Sequence, residues 1–117
     1  MIKPLALKLG YPKHECVPFI FIVDDTAFNI IPVKHMIQDK HGIKCVTAEN
    51  GQEAVNMYQA WFDLPCKCQY RVPSLIIMDI GMPIMDGKEA SKIILNLLKK
   101  SATPEITKIV ALTSFTN

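Results

Sequence analysis

The acids of this chain stand where apolar runs stop. Leu75-Ile76-Ile77-Met78 runs into Asp79, and Ile80-Gly81-Met82-Pro83-Ile84-Met85-Asp86-Gly87 follows. Phe19-Ile20-Phe21-Ile22-Val23 runs into Asp24-Asp25 in the same way. A short apolar run bounded by turn residues reads as a buried strand of a parallel sheet covered on both faces. Each run then delivers a carboxylate to a loop. If the two strands are neighbours, three carboxylates meet at one end of a sheet. Two carboxylates about 4 Å apart repel by roughly 4 kcal/mol at an effective dielectric near 20. Three together therefore call for a held proton or a cation. Hard oxygen ligands with open positions suit Mg²⁺, which keeps waters and bridges to phosphate. A carboxylate beside such an ion can attack phosphorus and become an aspartyl phosphate. Thr113 and Ser114 follow a further strand-like run, Lys108-Ile109-Val110-Ala111-Leu112, and Thr113 offers a hydroxyl to a phosphoryl oxygen.

The elements between these acids must bring them together. The first strand spans 19–23 and starts at Pro18. A helix is predicted over 26–40, capped by Asp25 or Thr26, with Val33, Met36, Ile37 and Lys40 at helical spacing. Pro32 would sit near its first turn or kink it, and Gly42 suits its C-terminal end. A second strand is expected over 43–48. Asn50-Gly51 reads as a turn. A second helix follows over 52–62, with Ala54, Val55, Tyr58 and Trp61 inward. The stretch 63–74 is a long connection containing Pro65 and Pro73. The third strand spans 75–79. Asp86-Gly87 opens a third helix to about Lys100, with Ala90, Ile93, Ile94, Leu97 and Leu98 as its buried stripe. The fourth strand spans 108–112. The order β-α-β-α-β-α-β implies a parallel sheet with right-handed crossovers. Ligands bind such sheets beyond the carboxyl ends of the strands, where the strand order reverses. A strand order 2-1-3-4 puts Asp24, Asp25, Asp79 and Thr113 at that point.

Composition narrows the class. The chain has 117 residues, enough for one domain. Hydrophobic residues make up 50% and charged residues 21%, and the formal net charge of +2 gives no basic footprint for nucleic acid. Residues 1–16 contain Pro4, Gly10 and Pro12 and read as a tail or linker; 17–117 read as the domain. No apolar run approaches the roughly 18 residues of a membrane span, and a cytoplasmic setting is expected. Cys45 reads as a small core residue, and Cys66-Lys67-Cys68 as a loop C-x-C pair. With Cys16 they lack a recognisable zinc spacing among themselves or with His14, His35 and His41, so free thiols are expected.

Phe21-Ile22-Val23-Asp24-Asp25, Ala48-Glu49-Asn50-Gly51-Gln52-Glu53-Ala54, the run Met78 to Gly87, and Ile109-Val110-Ala111-Leu112-Thr113 resemble the successive motifs of the response-regulator receiver domain. The wording is closest to the receivers of hybrid sensor histidine kinases. The resemblance covers about residue 19 to the C-terminus and implies a flavodoxin-like three-layer α/β/α fold. It implies that Asp79 accepts a phosphoryl group from a histidine. Asp25 and Asp24 would hold Mg²⁺ with Asp79 and the backbone carbonyl of Gly81, and Thr113 would be the switch hydroxyl. Ser114 fills a position that is usually small. The first helix would dock the phosphodonor, with Phe28 and Ile30 as candidate contacts. The partner would be a sensor histidine kinase or a histidine phosphotransfer domain.

Receivers normally continue through a fourth helix, a fifth strand bearing a Lys that binds the phosphoryl group, and a fifth helix. The 117 residues do not include them. The expectation is a receiver incomplete at its C-terminus, with apolar side chains exposed on strands three and four and an edge open to a second copy. A receiver is not an enzyme beyond catalysing its own phosphorylation and dephosphorylation. The alternative is a receiver-like interaction module, or a non-functional fragment, that no longer switches. A phosphatase with an Asp nucleophile would usually place a second Asp two residues on, where this chain has Gly81.

Overall fold

The computed structural model describes residues 16–66, 68–82, 84–100 and 106–112. Four parallel strands form one sheet: β1 (Phe19–Val23), β2 (Lys44–Ala48), β3 (Leu75–Asp79) and β4 (Lys108–Leu112), in the order β2-β1-β3-β4. Three of the four coincide with their expected bounds, because Pro or a polar residue punctuates each apolar run. The helices are α1 (Ala27–His35), α2 (Gly51–Phe62) and α3 (Gly87–Lys99). The chain steps from β1 to β2 on one side, then back across β1 to β3. With right-handed crossovers, that reversal puts α1 on one face and α2 and α3 on the other.

The core lies between the sheet and the α2–α3 layer. Phe21, Val23, Ala48, Ile76 and Met78 meet Ala54 and Tyr58 of α2 and Ala90, Ile94 and Leu98 of α3, all buried. Trp61 closes one end with edge-on contacts to Phe19 and Phe21, ring centroids 5.0 and 4.8 Å apart. Inside this layer Tyr58 donates to Thr107 Oγ1 at 2.8 Å, and Thr107 donates to the Pro73 carbonyl at 2.8 Å. That chain ties α2 to the approaches of β3 and β4. Tyr58→Phe leaves the Thr107 oxygen one partner short. Urea denaturation is expected to show a loss of about 1 kcal/mol.

Three local readings are corrected. The first helix runs as α-helix only to His35 and continues as π-helix over Met36–Lys40. Pro32 lies within α1, past its first turn. It lacks an N–H, and just beyond it the Met36 N–H is shared between the Pro32 and Val33 carbonyls before the π-helical stretch begins. No residue of α1 is buried, and Met36 is exposed rather than inward. Gly42 ends the segment as expected, at φ 66°. The pair Asn50-Gly51 is a helix start rather than a free turn. Asn50 Oδ1 accepts the Glu53 N–H at 2.8 Å. The second strand begins at Lys44, leaving Ile43 outside it.

On the α1 face, β3 and β4 carry Leu75, Ile77, Val110 and Leu112 side by side. Val110 and Leu112 are exposed and the other two half-buried among the described residues.

Candidate functional site

β1 and β3 pair in parallel, with Val23 opposite Met78. One residue further on, Asp24 therefore stands beside Asp79. Side chains alternate along a strand, so both point to the α1 side of the sheet. Both are buried, while Asp25 is exposed. Carboxylate oxygens of Asp24, Asp25 and Asp79 lie within 4.8 Å of one another. The acids singled out from sequence do converge.

Each acid has its own support. Asp24 Oδ1 accepts the Thr26 N–H at 2.9 Å, and Asn29 Nδ2 donates to both Asp24 oxygens at 3.3 and 3.2 Å. Thr26 Oγ1 donates to Asp25 at 3.3 Å, and the Gly81 N–H donates to Asp79 Oδ1 at 3.2 Å. Neither Asp25 nor Thr26 caps α1 through its side chain. The carboxylate of Asp24 takes the first free N–H instead. Asn29 was invisible as a site residue in sequence, because its role depends on helical spacing carrying it back over Asp24. Burial is the main cause that raises the Asp24 carboxyl above its ordinary 3.8, and the charges of Asp79 and Asp25 add to it; Thr26 and Asn29 oppose the rise.

The loop after Asp79 is clamped at both ends. The Gly87 N–H donates to the Ile80 carbonyl and the Gly51 N–H to the Met85 carbonyl, each at 3.1 Å. Both glycines are sterically required. A Cβ on Gly87 would lie 2.2 Å from the Asp79 carbonyl oxygen, and one on Gly51 would lie 2.2 Å from the Met85 carbonyl oxygen. Gly81, in contrast, has open space. Asp86 caps α3 by accepting the Glu89 N–H at 2.9 Å. Between the clamps Ile84 adopts φ 72° and is 82% exposed. A β-branched residue there stores strain. Met82 is buried beneath the loop, while Pro83 lies outside the described residues. So do Thr113 and Ser114; the last described residue, Leu112, pairs with Asp79.

Residues 20–117 match the family model of the response regulator receiver domain. The chain belongs to that family. The sensor protein GacS of Pseudomonas syringae pv. syringae is 33% identical over 97 residues, which is 80% of this chain and 9% of GacS. Hybrid histidine kinases are among the curated relatives. The receiver domain of Ssk1 from Saccharomyces cerevisiae, solved with the histidine phosphotransfer protein Ypd1, superposes at TM-score 0.66 with 30% identity, covering 90% of this chain and 69% of that one. CheY in the CheX-CheY-BeF3-Mg complex of Borrelia burgdorferi gives TM-score 0.63 at 25% identity, covering 83% and 63%. Among the described residues of this receiver, no helix is long and apolar enough to cross a membrane.

Proposed function

We propose that this receiver accepts a phosphoryl group on Asp79 from a phosphohistidine of a sensor kinase or phosphotransfer protein, with Mg²⁺ as cofactor. The observation that carries the reading is the meeting of three carboxylates within 4.8 Å around Asp79. Mg²⁺ binds oxygens at about 2.0–2.1 Å in an octahedron, whose ligand oxygens are then roughly 3–4 Å apart. The spacing of the three acids fits such an ion with small side-chain adjustment. Asp24, Asp25 and Asp79, with the Gly81 carbonyl, would hold it. When bound, the ion neutralises charge on the carboxylates and on the phosphoryl oxygens.

Within that setting the chain's own groups do the positioning. The Gly81 N–H holds one Asp79 oxygen, leaving the other to attack phosphorus in line. The new O–P bond forms as the P–N bond breaks, and the imidazole leaves with the electron pair. Thr113 would take a phosphoryl oxygen. Phe28, 86% exposed, and Ile31, also exposed, lie on α1, the helix whose Asn29 reaches Asp24, and would meet the donor. Ile31 takes the place expected of Ile30, which is half-buried. The Ypd1 complex of the Ssk1 receiver and the BeF3 and Mg of the CheY complex support the donor class and the cofactor. The direct experiment is Mg²⁺-dependent transfer from a phosphorylated histidine phosphotransfer domain, with loss of label from the donor matched by gain on this chain. Transfer that is unchanged in excess EDTA contradicts the reading.

The raised Asp24 pKa has a consequence for stability. A carboxyl whose folded pKa is raised contributes stability below its ordinary value of 3.8. That contribution is lost as pH rises through the folded value. At neutral pH, without metal, ionised Asp24 therefore opposes folding. Asp24→Asn is expected to stabilise the metal-free chain by about 1 kcal/mol and to weaken Mg²⁺ binding. Urea denaturation in EDTA and in excess Mg²⁺ should show opposite signs for the substitution.

A further inference from the structure

A second cluster of potential ligands lies away from the carboxylates. Cys16 precedes β1, and Cys66 and Cys68 lie in the connection between α2 and β3. Fifty residues separate the first two, yet Cys16 Sγ is 3.5 Å from Cys66 Sγ, and Cys66 Sγ is 4.0 Å from Cys68 Sγ. All three sulfurs fall within 4.8 Å of one another, and all are half-buried. We propose that Cys16, Cys66 and Cys68 form a thiolate site for one thiophilic d¹⁰ cation, with Zn²⁺ as its probe.

Geometry carries the assignment. Zn–S bonds are about 2.3 Å, so sulfurs on a tetrahedral ion sit roughly 3.8 Å apart. The two measured separations bracket that value. Three protein ligands with the fourth position open to water is an established zinc arrangement. Thiolates also select against the hard Mg²⁺ that suits the carboxylates.

The surroundings are built rather than accidental. Arg71 is buried in a short 3₁₀ turn, Gln69–Arg71. Its Nη1 donates to the Cys68 carbonyl at 2.8 Å, its Nε to the Phe62 carbonyl at 3.0 Å, and its guanidinium lies over the Phe62 ring. Arg71 thus fixes the C-x-C segment to the end of α2. It also sets a positive charge beside a centre whose three thiolates and one divalent ion sum to −1. Burial first, then the neighbouring thiols, push Cys16 up to about 12. Cys66 is drawn below the ordinary thiol value despite its burial, by the Cys68 N–H, the adjacent thiols and Arg71.

The five residues of β1 span about 16 Å and separate this cluster from Asp24. A bound ion there would staple the start of β1 to the α2–β3 connection and leave the acidic site free. The sequence hides it, because only the fold brings Cys16 to the C-x-C pair.

The test is titration of the fully reduced 117-residue chain with Co²⁺, under anaerobic conditions and excess Mg²⁺, followed by displacement with Zn²⁺. One equivalent is expected to give a thiolate-to-cobalt charge-transfer band that Zn²⁺ abolishes. Cys66→Ser and Cys16→Ser should weaken binding by more than the roughly 10–100-fold that loss of an outer-shell partner costs. Cys45→Ala and Asp79→Asn should keep the band. Circular dichroism confirms that each variant is folded. In the parent chain, Zn²⁺ should also raise the unfolding temperature, and Cys66→Ser should remove that rise. A folded chain with no charge-transfer band overturns the proposal. So does a band retained in Cys66→Ser.

Discussion

Asp79→Asn is expected to reduce phosphoryl incorporation from a small phosphodonor to background, a loss of at least about 100-fold. The amide is nearly isosteric and keeps an oxygen to accept the Gly81 N–H, so the fold should hold. What it lacks is a nucleophilic carboxylate oxygen and a negative charge for the cation. The effect should therefore appear in labelling and in Mg²⁺ affinity while the denaturation midpoint stays near that of the parent. Asp25→Asn provides the contrast. It should weaken Mg²⁺ binding and slow labelling, yet leave Asp79 able to take the phosphoryl group at saturating Mg²⁺. Quantifying hydroxylamine-labile label on the three proteins, with Mg²⁺ titrations, checks both statements.

Gly87→Ala is the second large effect, and it acts through packing. The added Cβ would lie 2.2 Å from the Asp79 carbonyl oxygen and 2.9 Å from Ile80 Cα. Both are backbone atoms at the end of a central strand, and neither can swing aside as a side-chain tip can. Either α3 retreats from the sheet or Asp79 moves. Overpacking of this kind costs about 3 kcal/mol, a large share of a small domain's stability. Any folded population should also label poorly, since the strand end that aims Asp79 has shifted. Gly81→Ala separates sterics from loop chemistry. Its Cβ meets nothing within 4 Å, so it should cost far less stability. Denaturation midpoints and labelling rates of the two variants, measured together, check the prediction.

These two glycines show what sequence could and could not reveal. The strands were legible because their apolar runs end abruptly: Pro18 precedes β1 and Asp24 ends it, and Asp79 ends β3. The alternation of elements and the handedness of crossovers give a parallel sheet, but its order β2-β1-β3-β4 is what the receiver resemblance implied and the fold shows. The three acids were legible as a group for the same reason, since a parallel sheet collects its strand ends on one side. Gly51 read only as a turn residue and Gly87 only as a helix start, because the carbonyls they approach, those of Met85 and Asp79, are close in space but remote along the chain. The π-helical stretch after Pro32 was half visible. The proline announced a break, but not that the ladder would slip beyond it. Arg71 carries no local signal in the sequence, and only the fold shows the two carbonyls and the aromatic ring it meets. Local pattern fixes elements well; contacts between segments fifty residues apart leave no local mark.

The central claim is that Asp79 carries the phosphoryl group. The most direct measurement is chemical mapping on the native protein isolated from its own cells. The protein is phosphorylated in Mg²⁺ by a histidine phosphodonor, reduced with borohydride and sequenced by mass spectrometry. An acyl phosphate on Asp79 is reduced to homoserine, so the account predicts homoserine at position 79 and unmodified aspartate at positions 24 and 25. Homoserine at 24 or 25 instead, or label confined to a histidine or cysteine with position 79 intact, would contradict it.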